Sequence, residues 1–305
     1  MIDQKLIDAL EEKYKSQGEN PNTYLAGLLQ AKPINYWDYI QVDTLLSLQK
    51  PRTDFKDEEI FIIYHQITEL YLKLIRHEVE QLVEAKVWSE EFVLNKVKRI
   101  NRYTYILADS FDIMKYGMDY DDYNIFRMTL APASGFQSAQ FRFIELYFTR
   151  VENLINSKGK ERLSENPSLE ELFANIYWRD AGMNYQTGKR SKTLELFEEK
   201  YLEDFIQLAK KMEGNTIEER IDQMDNPSEE LISALKKLDE VYNIRWPLIH
   251  LDTAQHYIDK KGETKAATGG SEWKKYLHPM YQQRKFFPNI WSEEEKANWA
   301  KDYEL

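Results

Sequence analysis

The 305-residue chain contains no cysteine, which excludes disulfides, thiolate metal sites, iron–sulfur clusters and cysteine nucleophiles. Glycine is scarce at 11 residues, and no alternating apolar pattern meets an Asn-Gly or Asp-Gly turn, so hairpin-built architectures lack their usual turn chemistry. Positive charge is in deficit. Against 52 Asp+Glu stand 41 Lys+Arg, a formal net charge of −11 with no dense basic patch, and this argues against nucleic acid as a partner. No apolar run approaches the roughly 18 residues of a membrane span. The start, "MIDQKLIDALEEKYK", has acidic residues and no apolar core like that of a signal peptide. A soluble, cytoplasmic protein with no membrane partner is expected.

What the chain does have is 42% hydrophobic and 13% aromatic residues, a globular composition. Apolar residues recur at three- and four-residue spacing over about 36–49, 57–86, 91–117, 136–155, 168–178, 193–212 and 228–259. That period predicts an all-α fold. Breaks fall at "SQGENPN", "KPRTD", "LAPASG", "NSKGKERLSENPS" and "KKGETKAATGG". None is long enough for a flexible linker and no repeat is visible, so a single domain over 1–305 is expected, with 1–34 as an N-terminal helical segment.

Three stretches carry candidate chemistry. In "FIIYHQITELYLKL" (61–74), Ile60, Ile63, Ile67, Leu70 and Leu74 form one stripe, while Phe61, Thr68, Leu72, Ile75 and Val79 form a second. Two apolar stripes predict an interior helix, with His77 in a solvated polar wedge. His65 projects one turn from Phe61. It is either a core histidine bonded to a neighbouring backbone group or a functional one. In "YNIFRMTLAPASGFQSAQFRFIE" (123–145), Tyr123 and Arg127 share a helical face; the guanidinium fork suits a carboxylate ligand, with a structural ion pair as the alternative. In "WPLIHLDTAQHYI", His250 follows a bend at Trp246-Pro247 and His256 lies further on. Without a cysteine or a Glu-x-x-His pair, such a histidine is a poor zinc or di-iron ligand and a reasonable axial ligand for haem. "ATGGS" offers the Thr268 hydroxyl and two glycines, without the spacing of a phosphate loop.

Taken together and in order, "YWDYIQVDTLLSLQ", "FIIYHQITELYLKLIRHEVEQL", "FRMTLAPASGFQSAQFRFIE" and "ATGGS" resemble the tryptophan 2,3-dioxygenase family from near residue 35 to the C-terminal region. The resemblance implies a helical haem b domain of the tryptophan/indoleamine 2,3-dioxygenase type. Its activity would be cleavage of the indole ring of L-tryptophan by O2 to N-formylkynurenine on ferrous haem, the first step of the kynurenine pathway. By position, His65 resembles the distal histidine facing the indole N–H, and Phe61 part of the apolar wall. Arg127, with Tyr123 beside it, resembles the partner of the substrate carboxylate, and Thr268 a contact to the substrate's ammonium and carboxylate. His250 resembles the proximal iron ligand, preferred over His256 by its distance from the Trp-initiated helix end. Tyr36, Tyr39 and Ile40 resemble residues that one subunit of a homotetramer lends to its neighbour. The chain departs from the pattern in lacking the arginine often found three residues before the proximal histidine, where Pro247 stands, and in Ala266-Ala267 before "TGGS". Two other classes fit the same residues: a haem monooxygenase acting on a tryptophan derivative, and a haem-free helical binding protein.

Overall fold

The apolar three-and-four spacing folds as helices in a computed structural model of the protein, which describes residues 3–258, 274 and 277–301. The chain falls into two compact units divided after Lys50. The first comprises α1 (Gln4–Ser16), α2 (Pro21–Gln30), α3 (Tyr36–Ile40) and α4 (Val42–Leu45). Asp3 caps α1 by accepting from Lys5 N, and Asn20 caps α2 by accepting from Asn22 N, with Pro21 in the first turn. These caps occupy amides that have no partner inside a helix. Tyr14 stacks on Tyr24 at 3.8 Å. The single helix expected over 36–49 is instead two short ones, because Gln41 takes a left-handed conformation (φ 55°) between them. None of the described residues of this unit is buried.

The second unit is built from α5 (Asp57–Glu84), α6 (Glu90–Asp109), α7 (Phe111–Tyr116), α8 (Tyr120–Phe126), α9 (Ala139–Phe148), α10 (Ser157–Lys160), α11 (Leu169–Ala174), α12 (Lys192–Met212), α13 (Ile217–Asp222), α14 (Glu229–Glu240) and α15 (Trp246–Ile258). Ser89, Ser191 and Ser228 cap α6, α12 and α14 through their hydroxyls. The helix α5 packs on α6 and α9, α6 on α14, and α9 on α12. Leu72, Ile75, Val79 and Leu82 of α5 are fully buried, each contributing about 1.5–3 kcal/mol of burial. The other apolar stripe of α5 departs from expectation: Ile63, Leu70 and Leu74 are 39%, 49% and 44% exposed. His77 is exposed, as its wedge position predicts. Glu78, in contrast, is buried, because Lys96 Nζ (2.7 Å) and Arg99 Nη2 (2.6 Å) of α6 both reach its carboxylate.

Two local features escaped the periodicity. A two-residue antiparallel ladder pairs β1 (Met183–Asn184) with β2 (Lys189–Arg190), its turn closed by Asn184 Oδ1 on two amides and by Gly188 at φ 69°. At the expected bend before Pro247, residues 241–245 form one turn of π-helix and the chain then continues as α15. A widened turn accommodates a proline whose missing N–H would interrupt an α-helix. Further on, buried Asp239 accepts from Phe286 N (2.7 Å), Phe287 N (3.2 Å) and Trp291 Nε1 (2.9 Å), which fastens the C-terminal segment to α14. Among the described residues no helix is long and apolar enough to cross a membrane.

Candidate active site

A cavity of about 590 Å³ lies within the second unit, enclosed by α5, α7, α8, α9, α15 and the loop before α9. Its size falls in the range of roughly 300–1,000 Å³ common for small-molecule sites. Phe61, His65, Tyr123, Arg127 and His250, drawn from three separate stretches of sequence, all line it.

His65 is oriented by its own helix. Its Nδ1 lies 2.7 Å from the Phe61 carbonyl; a carbonyl only accepts, so Nδ1 carries the hydrogen and Nε2 is left as an acceptor. Burial lowers the His65 pKa, against the opposing pull of the Phe61 carbonyl and Glu69. The Phe61 ring lies 4.1 Å from His65 and 5.9 Å from Phe126, forming an aromatic wall. The backbone bond of a core histidine and an acceptor nitrogen at a cavity wall therefore coexist in one residue.

Arg127 is the first residue after α8, following one helical turn from Tyr123. It is 2% exposed, its Nε donates to Asn124 Oδ1 at 3.1 Å, and among the described residues no carboxylate forms an ion pair with it. The structural ion pair considered for it is thus absent from that set. Tyr123 packs between Phe61 (6.0 Å) and Tyr257 (4.3 Å), and burial raises its phenol pKa. The run "PASGFQS" is shaped from within. Gln137 accepts from Ser134 N and donates to Thr193 O, while Thr193 Oγ1 donates to Pro132 O.

His250 lines the cavity from α15, with its ring 5.4 Å from Phe111. Burial lowers its pKa to about 4, assisted by the charge His65 would carry, so the imidazole is neutral. His256 is absent from the lining and packs instead among Tyr116, Tyr120 and Tyr257. No cluster of three His, Cys, Asp or Glu among the described residues could hold a bare metal ion. A neutral imidazole on an apolar cavity wall, with no carboxylate or thiolate beside it among the described residues to complete a metal site, instead fits a flat iron-bearing prosthetic group that brings its own equatorial ligands.

Tyr36, Tyr39 and Ile40 lie in the first unit, on the short helix α3, with exposed side chains. Thr268 and the "ATGGS" stretch lie outside the described residues. Spacing alone pointed to neither Trp246, Tyr177, Arg142 nor Arg284, all of which line the cavity. Their signal was indistinguishable from that of ordinary core aromatics and surface arginines.

The sequence model of the family described as tryptophan 2,3-dioxygenase matches residues 27–204. The chain is 26% identical over 301 residues to tryptophan 2,3-dioxygenase of Ruegeria pomeroyi, covering 90% of this chain and 98% of that protein. It is 30% identical over 269 residues to the Bacillus thuringiensis subsp. konkukian protein of the same name, covering 85% and 91%. With the matched region spanning most of the cavity wall, the chain belongs to the tryptophan 2,3-dioxygenase family.

Proposed function

We propose that the chain opens the indole ring of L-tryptophan with O2 to give N-formylkynurenine, using haem b held by His250. The observation that carries this reading is the convergence of a neutral His250, an acceptor-bearing His65 and a carboxylate-free Arg127 on one mainly apolar cavity.

Bound haem, in its ferrous form, supplies O2 activation. The protein's own task is placement. Phe61 and the surrounding aromatic side chains take the indole and keep water from it. Arg127 grips the substrate carboxylate through its fork, with Tyr123 packed beside it, and Thr268 supplies a hydroxyl to the amino-acid end. His65 accepts the indole N–H at Nε2, which orients the ring, and it does so without bringing a charge into a dry site. His250, neutral through burial, offers a nitrogen lone pair to the iron.

We further propose a homotetramer in which Tyr36, Tyr39 and Ile40 complete a neighbour's site. Supporting it are the outward apolar stripe of α5 and, separately, the exposed side chains of α3, since large exposed apolar side chains in such number are ordinarily covered in an assembly.

The test is anaerobic addition of L-tryptophan to the reduced haem protein, followed by O2, with the product read by absorbance and mass. Gain of two oxygen atoms is expected. Gain of one identifies a monooxygenase, and a purified protein with no Soret band after haem addition rules out haem chemistry.

A further inference from the structure

The cavity has a second group of cationic residues that none of these roles uses. Arg142, from α9, and Arg284, from the C-terminal segment, both line it. Arg284 is 2% exposed. Both guanidinium groups lie over the same two rings: that of Arg284 is 4.7 Å from Tyr177 and 5.3 Å from Phe141, and that of Arg142 is 5.4 and 5.0 Å away. They share one carboxylate. Arg284 Nη1 donates to Glu145 Oε1, and the Tyr177 hydroxyl donates to the same oxygen at 2.7 Å. Arg142 Nη1 donates to the Tyr177 hydroxyl and stands 3.6 Å from Glu145 Oε2.

Burial pushes the Tyr177 phenol far above its ordinary value, so it adds no anion. Two guanidinium cations therefore face one carboxylate. A surplus charge withdrawn from water calls for a counter-charge. The Nε atoms of Arg142 and Arg284 are buried and have no acceptor among the described residues, so donors as well as charge remain to be satisfied.

The cluster's position indicates which anion. Trp246 precedes His250 by one helical turn on α15, about 5.4 Å along the axis, and packs on Phe141 at 4.4 Å. Phe141 is the ring that both arginines cover. A haem is flat and apolar apart from two carboxylate side chains on one edge, so a site for it needs an axial nitrogen near its centre and a cation beyond that edge. The amino-acid substrate's carboxylate already has its candidate in Arg127, which follows α8 and its aromatic side chains Tyr123 and Phe126.

We propose that Arg284, with Arg142 beside it, binds a carboxylate side chain of the haem that His250 holds. This rests on the haem reading above.

The experiment titrates the full chain, prepared free of haem, with haem and with haem dimethyl ester, following the Soret band. The readout is the ratio of the two dissociation constants, with folding checked by circular dichroism. Wild type is expected to bind haem about tenfold more tightly than the ester, as befits a charge-assisted contact. Arg284→Met should bring the ratio down toward unity. Glu145→Gln, which removes the competing carboxylate and leaves the arginine in place, should widen it, and it carries the test if Arg284→Met does not fold. A ratio equal to the wild-type value in the folded variants overturns the proposal and leaves the haem reading intact. Failure of the wild type to form any one-to-one haem complex overturns both.

Discussion

Among single residues, His65 joins local structure to chemistry most directly. Its Nδ1 is committed to the Phe61 carbonyl, so the acceptor offered to the cavity is set by the helix itself. Losing an acceptor for a buried indole N–H costs about 1–3 kcal/mol, roughly a ten- to hundredfold loss in kcat/KM. His65→Ala is expected to keep its fold and haem, to slow by that factor, and to discriminate less against 1-methyltryptophan. The acceptor is also pH-dependent. Burial places the His65 pKa below its ordinary 6.5, so the neutral form persists through neutral pH and protonation removes the acceptor only as pH falls below 6.5. A rate profile flat at neutrality with an acid limb is expected, and His65→Ala should lose that limb. Arg127 invites a separate measurement. Truncating one partner of a buried ion pair costs roughly 2–5 kcal/mol, so Arg127→Ala should bind haem normally and lose most tryptophan turnover, while indoles lacking a carboxylate change far less. Equal losses for both substrates would make Arg127 a structural residue. The type and spacing of Phe61, His65, Tyr123 and Arg127 were legible in the sequence. The tautomer of His65 was not, because it depends on a rotamer choice against the preceding turn.

At the scale of elements, α5 and α15 show where periodicity succeeds and where it fails. The two stripes of α5 were readable, but their environments were not: Leu72, Ile75 and Val79 meet α6 and α9, whereas Ile63, Leu70 and Leu74 face outward in one chain. Apolar spacing records that a face is apolar and leaves open what covers it. The bend at Pro247 was readable as a break; its resolution as one π-turn leading into a continuous helix depends on packing around Tyr242, Asn243 and Ile244, all buried. That turn sets the rotation of α15, which puts His250 on the cavity wall and His256 among tyrosines. Accordingly, His250→Ala should lose haem or its normal Soret band, while His256→Ala keeps both. The opposite pattern in the two spectra would reassign the ligand.

For the whole molecule, exposed apolar side chains bear on assembly. The outward stripe of α5 and the side chains of Tyr36, Trp37 and Tyr39 are large and exposed, and a homotetramer is expected at micromolar concentration in sedimentation or light scattering. A fully active monomer would defeat that expectation. The sequence by itself determined the helical class, since helix periodicity is a local property repeated along the chain. It determined the order of the motif residues too, and through them the family. It excluded thiol chemistry by simple absence of cysteine. Only the tertiary structure decided that Arg284, far along the chain, meets Arg142 and Glu145 beside the same cavity as His250. Partners so distant in sequence leave no spacing to read; Asp239 holds the Arg284 segment in place through the amides of Phe286 and Phe287, and that contact arises only when the chain closes on itself.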